Sequence, residues 1–206
     1  MEQQTIMEQL RQETAQEHHD IEQNAYAIAI MDQTLTSEQY LTYLQKFYGF
    51  IKPLEDQISL LGLGQDTLLD MHARKKTPLL EKDIQDLLPK DSDLSSLPIA
   101  SDLPTINSTP HLLGYLYVIE GSTMGGQIIN KKLKQHLPSE LEQNLRYFNA
   151  YGQETRSKWK EFAQIVNDNI HSEEDRQTTV TTAKKTFKLL TEWINLETPI
   201  HSTRHS

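Results

Sequence analysis

Cysteine is absent from the 206-residue chain. That removes disulfide frameworks, thiolate nucleophiles, iron–sulfur clusters and cysteine-held zinc together. A bound metal must then take its ligands from His, Asp, Glu, Tyr or Met. Long apolar runs are also missing, since none approaches the ~20 residues that span a bilayer. The opening MEQQTIMEQLRQE has neither the basic start nor the apolar stretch of a secretory signal. Basic residues are outnumbered, with 20 Lys+Arg against 29 Asp+Glu and a formal net charge of −9. That balance argues against a nucleic-acid partner. The chain reads as a soluble, cytoplasmic protein with no membrane segment. Its length suits one domain with a sizeable core. Glycine is scarce as well, at 8 residues.

What is present is helical periodicity. Ile6, Leu10, Thr14 and His18 recur every four residues, with Ile21 continuing the stripe, which predicts one helix over about 4–20. Residues 25–31 are apolar and Ala-rich. Thr36 and Gln39 have capping-box spacing. A long amphipathic helix follows to about residue 58, with a kink or break expected at Pro53. Gly62-Leu63-Gly64 ends it. Thr77-Pro78 opens a short helix, with proline in the first turn. Residues 91–109 are rich in Ser, Asp and Pro and read as loop. Further helices are expected over about 110–137, 153–170 and 172–196, the last capped by Ser172 with Asp175. With no internal repeat and no lasting strand alternation, the fold class is all-α. A single compact helical domain covers 1–196, followed by a polar tail over 197–206.

Half of the glycines fall between 114 and 126, three of them in Gly121-Ser122-Thr123-Met124-Gly125-Gly126. Each interior glycine costs a helix about 0.8–1 kcal/mol against alanine. Three cost about 2–3 kcal/mol, a sizeable share of the ~5–15 kcal/mol that holds a domain together. Close helix packing or a helix break would account for them. So would a flat, bulky ligand lying on bare backbone. The phosphate-loop ending and a preceding strand are both lacking.

His18 shares a helical face with Thr14 and Glu22. It reads either as a buried, hydrogen-bonded core histidine or as a metal ligand oriented by Glu22. His19 points about 100° away. No second histidine is spaced to complete a multi-histidine site. A lone histidine suits haem, whose porphyrin supplies the other four ligands.

Leu10-Arg11-x-x-Thr14-Ala15-x-x-His18-x-x-Ile21-Glu22 resembles the first-helix signature of the haem oxygenases. Tyr117-Val118-Ile119-Glu120-Gly121-Ser122-Thr123-Met124-Gly125-Gly126-Gln127 resembles their distal helix. The wording is nearest to bacterial members that make biliverdin for bacteriophytochromes. Tyr151-Gly152-x-x-Thr155-x-x-x-Trp159-Lys160-x-Phe162 and Ala183-Lys184-x-x-Phe187 resemble later segments of that branch. The resemblance implies a fold in which haem is sandwiched between an N-terminal proximal helix and a Gly-rich distal helix. It makes His18 the axial iron ligand and Glu22 its partner. Gly121, Ser122, Gly125 and Gly126 become the catalytic distal segment. Arg11, Lys160 and Tyr117 become candidates for the haem propionates, and Phe187 packs on the macrocycle. Animal-type members carry an aspartate where Ser122 stands. The implied reaction is O2- and electron-dependent opening of haem to biliverdin, CO and ferrous iron. Haem is then both cofactor and substrate, and O2 the co-substrate.

An external electron donor, a ferredoxin or a reductase, is implied, because the chain has no nucleotide fingerprint. Arg11, Lys131, Lys132 and Lys134 form a candidate basic patch for it, or an ordinary solvated helix face. The rival readings are a haem carrier or sensor without turnover, and an all-α protein that binds no haem.

Overall fold

Thr5 starts the first helix with a capping box. Its hydroxyl accepts from Glu8 N, and the Glu8 carboxylate accepts from Thr5 N at 2.8 Å. The helix α1 (Ile6–Glu13) stops at Thr14, and α2 (Ala15–Glu22) follows at once. This is a computed structural model, and it describes residues 4–90 and 92–197. The single helix expected over 4–20 is therefore two. At Thr14 the backbone leaves helical geometry (φ −100°, ψ 7°), and the buried hydroxyl donates to Leu10 O at 2.8 Å. Ile6, Leu10 and Thr14 stay buried on the stripe, whereas α2 buries none of its residues. His18 is carried to the surface side of the break.

Asn24 turns the chain into α3 (Ala25–Met31) by accepting from Ala27 N and donating to Ile21 O. Then α4 (Ser37–Leu60) begins at the Thr36–Gln39 capping box. It runs through Pro53 as one helix rather than breaking. Proline has no N–H for the carbonyl four residues back, which belongs to Gly49. That carbonyl accepts instead from Ala100 N at 3.0 Å. The loop can come so close because residue 49 has no side chain: a Cβ there would lie 2.3 Å from Pro98 O.

Gly62 and Gly64, both at positive φ, end this element. After α5 (Met71–Arg74) comes α6 (Thr77–Leu87), with proline in its first turn. Of the stretch expected to be loop, residues 92–108 are loop with one 3-10 turn, Leu94–Ser96. Next is α7 (Thr109–His136), 28 residues that stay helical through all four glycines. The chain then folds through 3-10 turns into α8 (Thr155–Asn169) and, from the Ser172 cap, α9 (Glu173–Asn195). Among the described residues there is no strand. All of the tail but residue 197 lies outside the described residues.

The centre of the molecule is α7 packed along α9, and Gly114 sets their approach: a Cβ there would lie 2.3 Å from Thr179 O. On a different side of α7, Glu120 is buried and receives Lys76 Nζ at 2.6 Å, Arg74 Nη1 at 2.5 Å and the Tyr151 hydroxyl at 2.9 Å. Buried Glu55 accepts from Lys76 N and Thr77 N. Charges taken out of water need this degree of pairing.

Candidate functional site

One cleft brings together residues from α2, α3, α4, α7, α9 and the 147–148 segment. Its lining is mostly apolar and aromatic, as small-molecule sites are. From α2 come His18, Ile21 and Glu22. From α7 come Val118, Ile119, Gly121, Ser122, Gly125, Gly126 and Ile129. Tyr43 and Phe47 of α4, with Tyr147 and Phe148, form an aromatic wall, and Phe187 and Leu190 come from α9.

The His18 side chain is 59% exposed, so it is not a buried core histidine. Its Nδ1 faces the Glu22 carboxylate at 3.7 Å, which leaves Nε2 for another partner. The Phe187 ring meets the imidazole edge-on, with centroids 5.8 Å apart and planes at 77°. Among the described residues no group of three or more His, Asp or Glu is arranged to hold a metal ion. A metal held here through His18 must bring further donors with it, as a porphyrin does.

The three clustered glycines do three different things. A Cβ on Gly126 would lie 2.8 Å from Phe148 O, so this glycine lets the 147–148 segment approach α7. At Gly121 the Cβ would rest at ordinary contact distance, 3.6 Å, from the Trp159 ring. At Gly125 it would meet nothing within 4 Å. Helix packing therefore explains Gly126 and Gly114, whereas Gly125 leaves bare backbone in the cleft wall. The Ser122 hydroxyl donates to Ile119 O at 2.7 Å, which leaves its oxygen as an acceptor.

The remaining candidates lie outside this cleft wall. Arg11 is exposed on α1, and Lys160 is exposed on α8. Tyr117 is half-buried against Trp159, with ring centroids 5.8 Å apart. Lys132 reaches Met31 O at 3.5 Å, and Lys131 and Lys134 are exposed beside it on α7.

Reading the sequence did not find the aromatic wall. Tyr43 and Phe47 fall within the long amphipathic helix that the periodicity predicts to about residue 58, and Tyr147-Phe148 lies between helices, where only the adjacent aromatic pair marks it. The Tyr43 ring stacks on Tyr26 at 4.9 Å, and burial pushes its hydroxyl up to about 12. Tyr147 is fixed through its backbone: its N–H donates at 2.9 Å to Asp83, which also takes Arg146 Nη1 at 2.9 Å.

A family model described as Heme oxygenase matches residues 4–196. The Heme oxygenase of Xanthomonas campestris pv. campestris (strain 8004) is 27% identical over 158 residues, spanning 74% of this chain and 87% of its own. The solved heme oxygenase of Leptospira interrogans superposes with a TM-score of 0.76 at 17% identity, covering 93% of this chain and 98% of its own. Heme oxygenase-1 of Synechocystis sp. PCC6803, solved in complex with heme, gives 0.72 at 15% identity over 93% and 91%. The Neisseria meningitidis heme oxygenase, solved with NO and CO bound, gives 0.68 at 18% identity over 95% and 94%. The structural likenesses establish the all-helical fold, and the match over residues 4–196 shows that the chain belongs to the haem oxygenase family of oxidoreductases.

Proposed function

We propose that the chain binds haem in this cleft and opens its ring with O2 and external electrons, releasing biliverdin, CO and ferrous iron. The observation that carries the reading is a single accessible histidine sharing one apolar cleft with bare helix backbone at Gly125. The residues present fit the group. The cleft offers aromatic faces from Phe47, Phe148 and Phe187 for a macrocycle, and one imidazole with a free nitrogen for its iron.

The haem supplies the redox chemistry, and the protein supplies binding, orientation and control of protons. His18 would hold the iron through Nε2. Glu22, facing Nδ1, keeps that tautomer and adds basicity to the ring. Phe187 limits rotation of the imidazole. Gly125, between Gly121 and Gly126, leaves α7 backbone bare at one point of the cleft, so whatever binds over the ring would meet backbone there. Ser122 offers an acceptor lone pair there and no free proton. Arg11, Tyr117 and Lys160 serve the propionates only where these reach past the cleft wall. The exposed lysines of α7 would face an acidic electron donor, a ferredoxin or a reductase. A cytoplasmic setting, where reduced donors are at hand, accords with this reading.

Haemin titration followed by reduction with ascorbate or a reductase tests it. A Soret band that gives way to biliverdin absorption is expected. A stable Soret band would make the chain a haem carrier or sensor, and no Soret band would remove haem from its function.

A further inference from the structure

Across its glycine run α7 has little of its own to keep it straight. Gly121, Gly125 and Gly126 each weaken a helix against alanine. The Ser122 and Thr123 hydroxyls donate to Ile119 O at 2.7 Å and to Glu120 O at 2.6 Å, a back-bonding that bends helices. At Gly125 a Cβ would meet nothing within 4 Å, so packing does not steady that residue. The turn that forms this part of the cleft wall is therefore pliant by itself.

One other segment grips it on both sides. Before the run, the Tyr151 hydroxyl donates to the buried Glu120 carboxylate at 2.9 Å. Glu120 is fixed in turn by Lys76 and Arg74. Within the run, the Phe148 carbonyl sits where a side chain at 126 would collide with it. After the run, Gln127 Nε2 donates to Gly152 O at 2.8 Å. Gly152 takes φ +51°, which suits glycine, and its carbonyl also receives the Thr155 hydroxyl at the start of α8. The gripping segment is stiff. The amides of Asn149, Gly152 and Glu154 donate to Leu145 O, Asn149 O and Tyr151 O in successive turns, and Asp83 fixes Tyr147 N. The same segment supplies Tyr147 and Phe148 to the cleft, whereas Tyr151 and Gln127 stand behind the wall. Gly125, the bare point of that wall, lies between the two grips.

We infer that the 148–152 segment splints the glycine turn of α7, and that Tyr151 (through Glu120) and Gln127 are positioning residues that fix where the Gly125 backbone stands over a ring in the cleft. The inference rests on the proposed haem binding.

The test compares Gln127→Met, Tyr151→Phe and the double variant with the unaltered chain. Methionine keeps the length and helix propensity of Gln127 without its donor. Tyr151→Phe keeps the ring, and Glu120 keeps both of its cations, so all three variants are expected to fold. In the haem-free protein, hydrogen exchange of amides 121–127 should quicken about threefold to tenfold in each single variant, the worth of one hydrogen bond, while the α9 amides keep their rates. The double variant should quicken them further than either. In the haem-loaded ferrous protein, with carbon monoxide as the probe, the C–O stretching band should broaden or split, because the backbone beside the probe then takes more than one position. Gln127→Lys restores a donor and should return both readouts towards those of the unaltered chain. Quickening shared equally by α7 and α9, or a C–O band unchanged in the double variant, would overturn the splint while leaving haem binding standing. Failure of the unaltered chain to take up haem would remove the positioning role together with the haem reading.

Discussion

The missing side chain of Gly126 and the carbonyl oxygen of Phe148 are a matched pair: a Cβ on the one would lie 2.8 Å from the other. One turn of α7 thus carries a glycine for packing and, beside it, Gly125 for open space. Gly126→Ala should destabilise the haem-free protein by about 1–3 kcal/mol, since backbone must move. Gly125→Ala should stabilise it by up to about 1 kcal/mol through helix propensity, and weaken haem binding by narrowing the cleft. Urea unfolding and haemin titration of both variants check this; equal behaviour in the two assays would refute the division of roles.

Glu120 stands next to Gly121 but serves a separate ion cluster. Glu120→Gln leaves the Arg74 and Lys76 cations buried without their shared counter-ion. A loss of about 3 kcal/mol or more is expected in denaturant unfolding, the scale for stripping one partner from buried charges. A loss below about 1 kcal/mol would place the cluster among surface ion pairs instead.

His18→Ala should act on the ligand and not on the fold. The side chain is more than half exposed, so stability should stay within about 0.5 kcal/mol of the unaltered protein. The haem-loaded variant should lose the histidine-ligated spectrum. A spectrum that persists would assign the iron to another residue, with His19 the first to examine.

The cleft's aromatic wall depends on Asp83, whose carboxylate receives both Tyr147 N and Arg146. Burial raises this carboxyl above its ordinary 3.8, outweighing those two contacts. The folded chain therefore binds that proton more tightly than the unfolded chain. The stability advantage of the unaltered protein over Asp83→Asn should be largest below pH 3.8 and shrink as pH rises through the raised value. Urea midpoints of the two proteins at a series of pH values measure it, and an advantage that grows with pH would contradict the assignment.

Local signals in the chain located the helix starts well. Thr36 with Gln39, Ser172 with Asp175, and the proline at 78 act over three or four residues, and the structure places each at a helix N-terminus. The errors came where a distant partner decides. Pro53 does not break α4, because Ala100 takes the carbonyl it leaves free. Thr14 ends α1 although the apolar period continues through it. Gly125 and Gly126 are adjacent in sequence, and only the position of Phe148 separates their roles. His18 and the glycine run were legible as a pair through family resemblance. Tyr147, Asp83 and the cluster around Glu120 were not, since no spacing in the chain links them.

The break at Thr14 has a mechanical side. It leaves α2 as a short plank with no buried residue of its own, laid against α9, while α7 is sunk in the core. Such an element opens at little cost in free energy, and its amides should exchange with solvent long before those of α7. The molecule thus has one compliant jaw and one rigid jaw. On the proposed haem reaction, loading the flat ring and letting go of its opened product would bend these eight residues and leave the bundle closed.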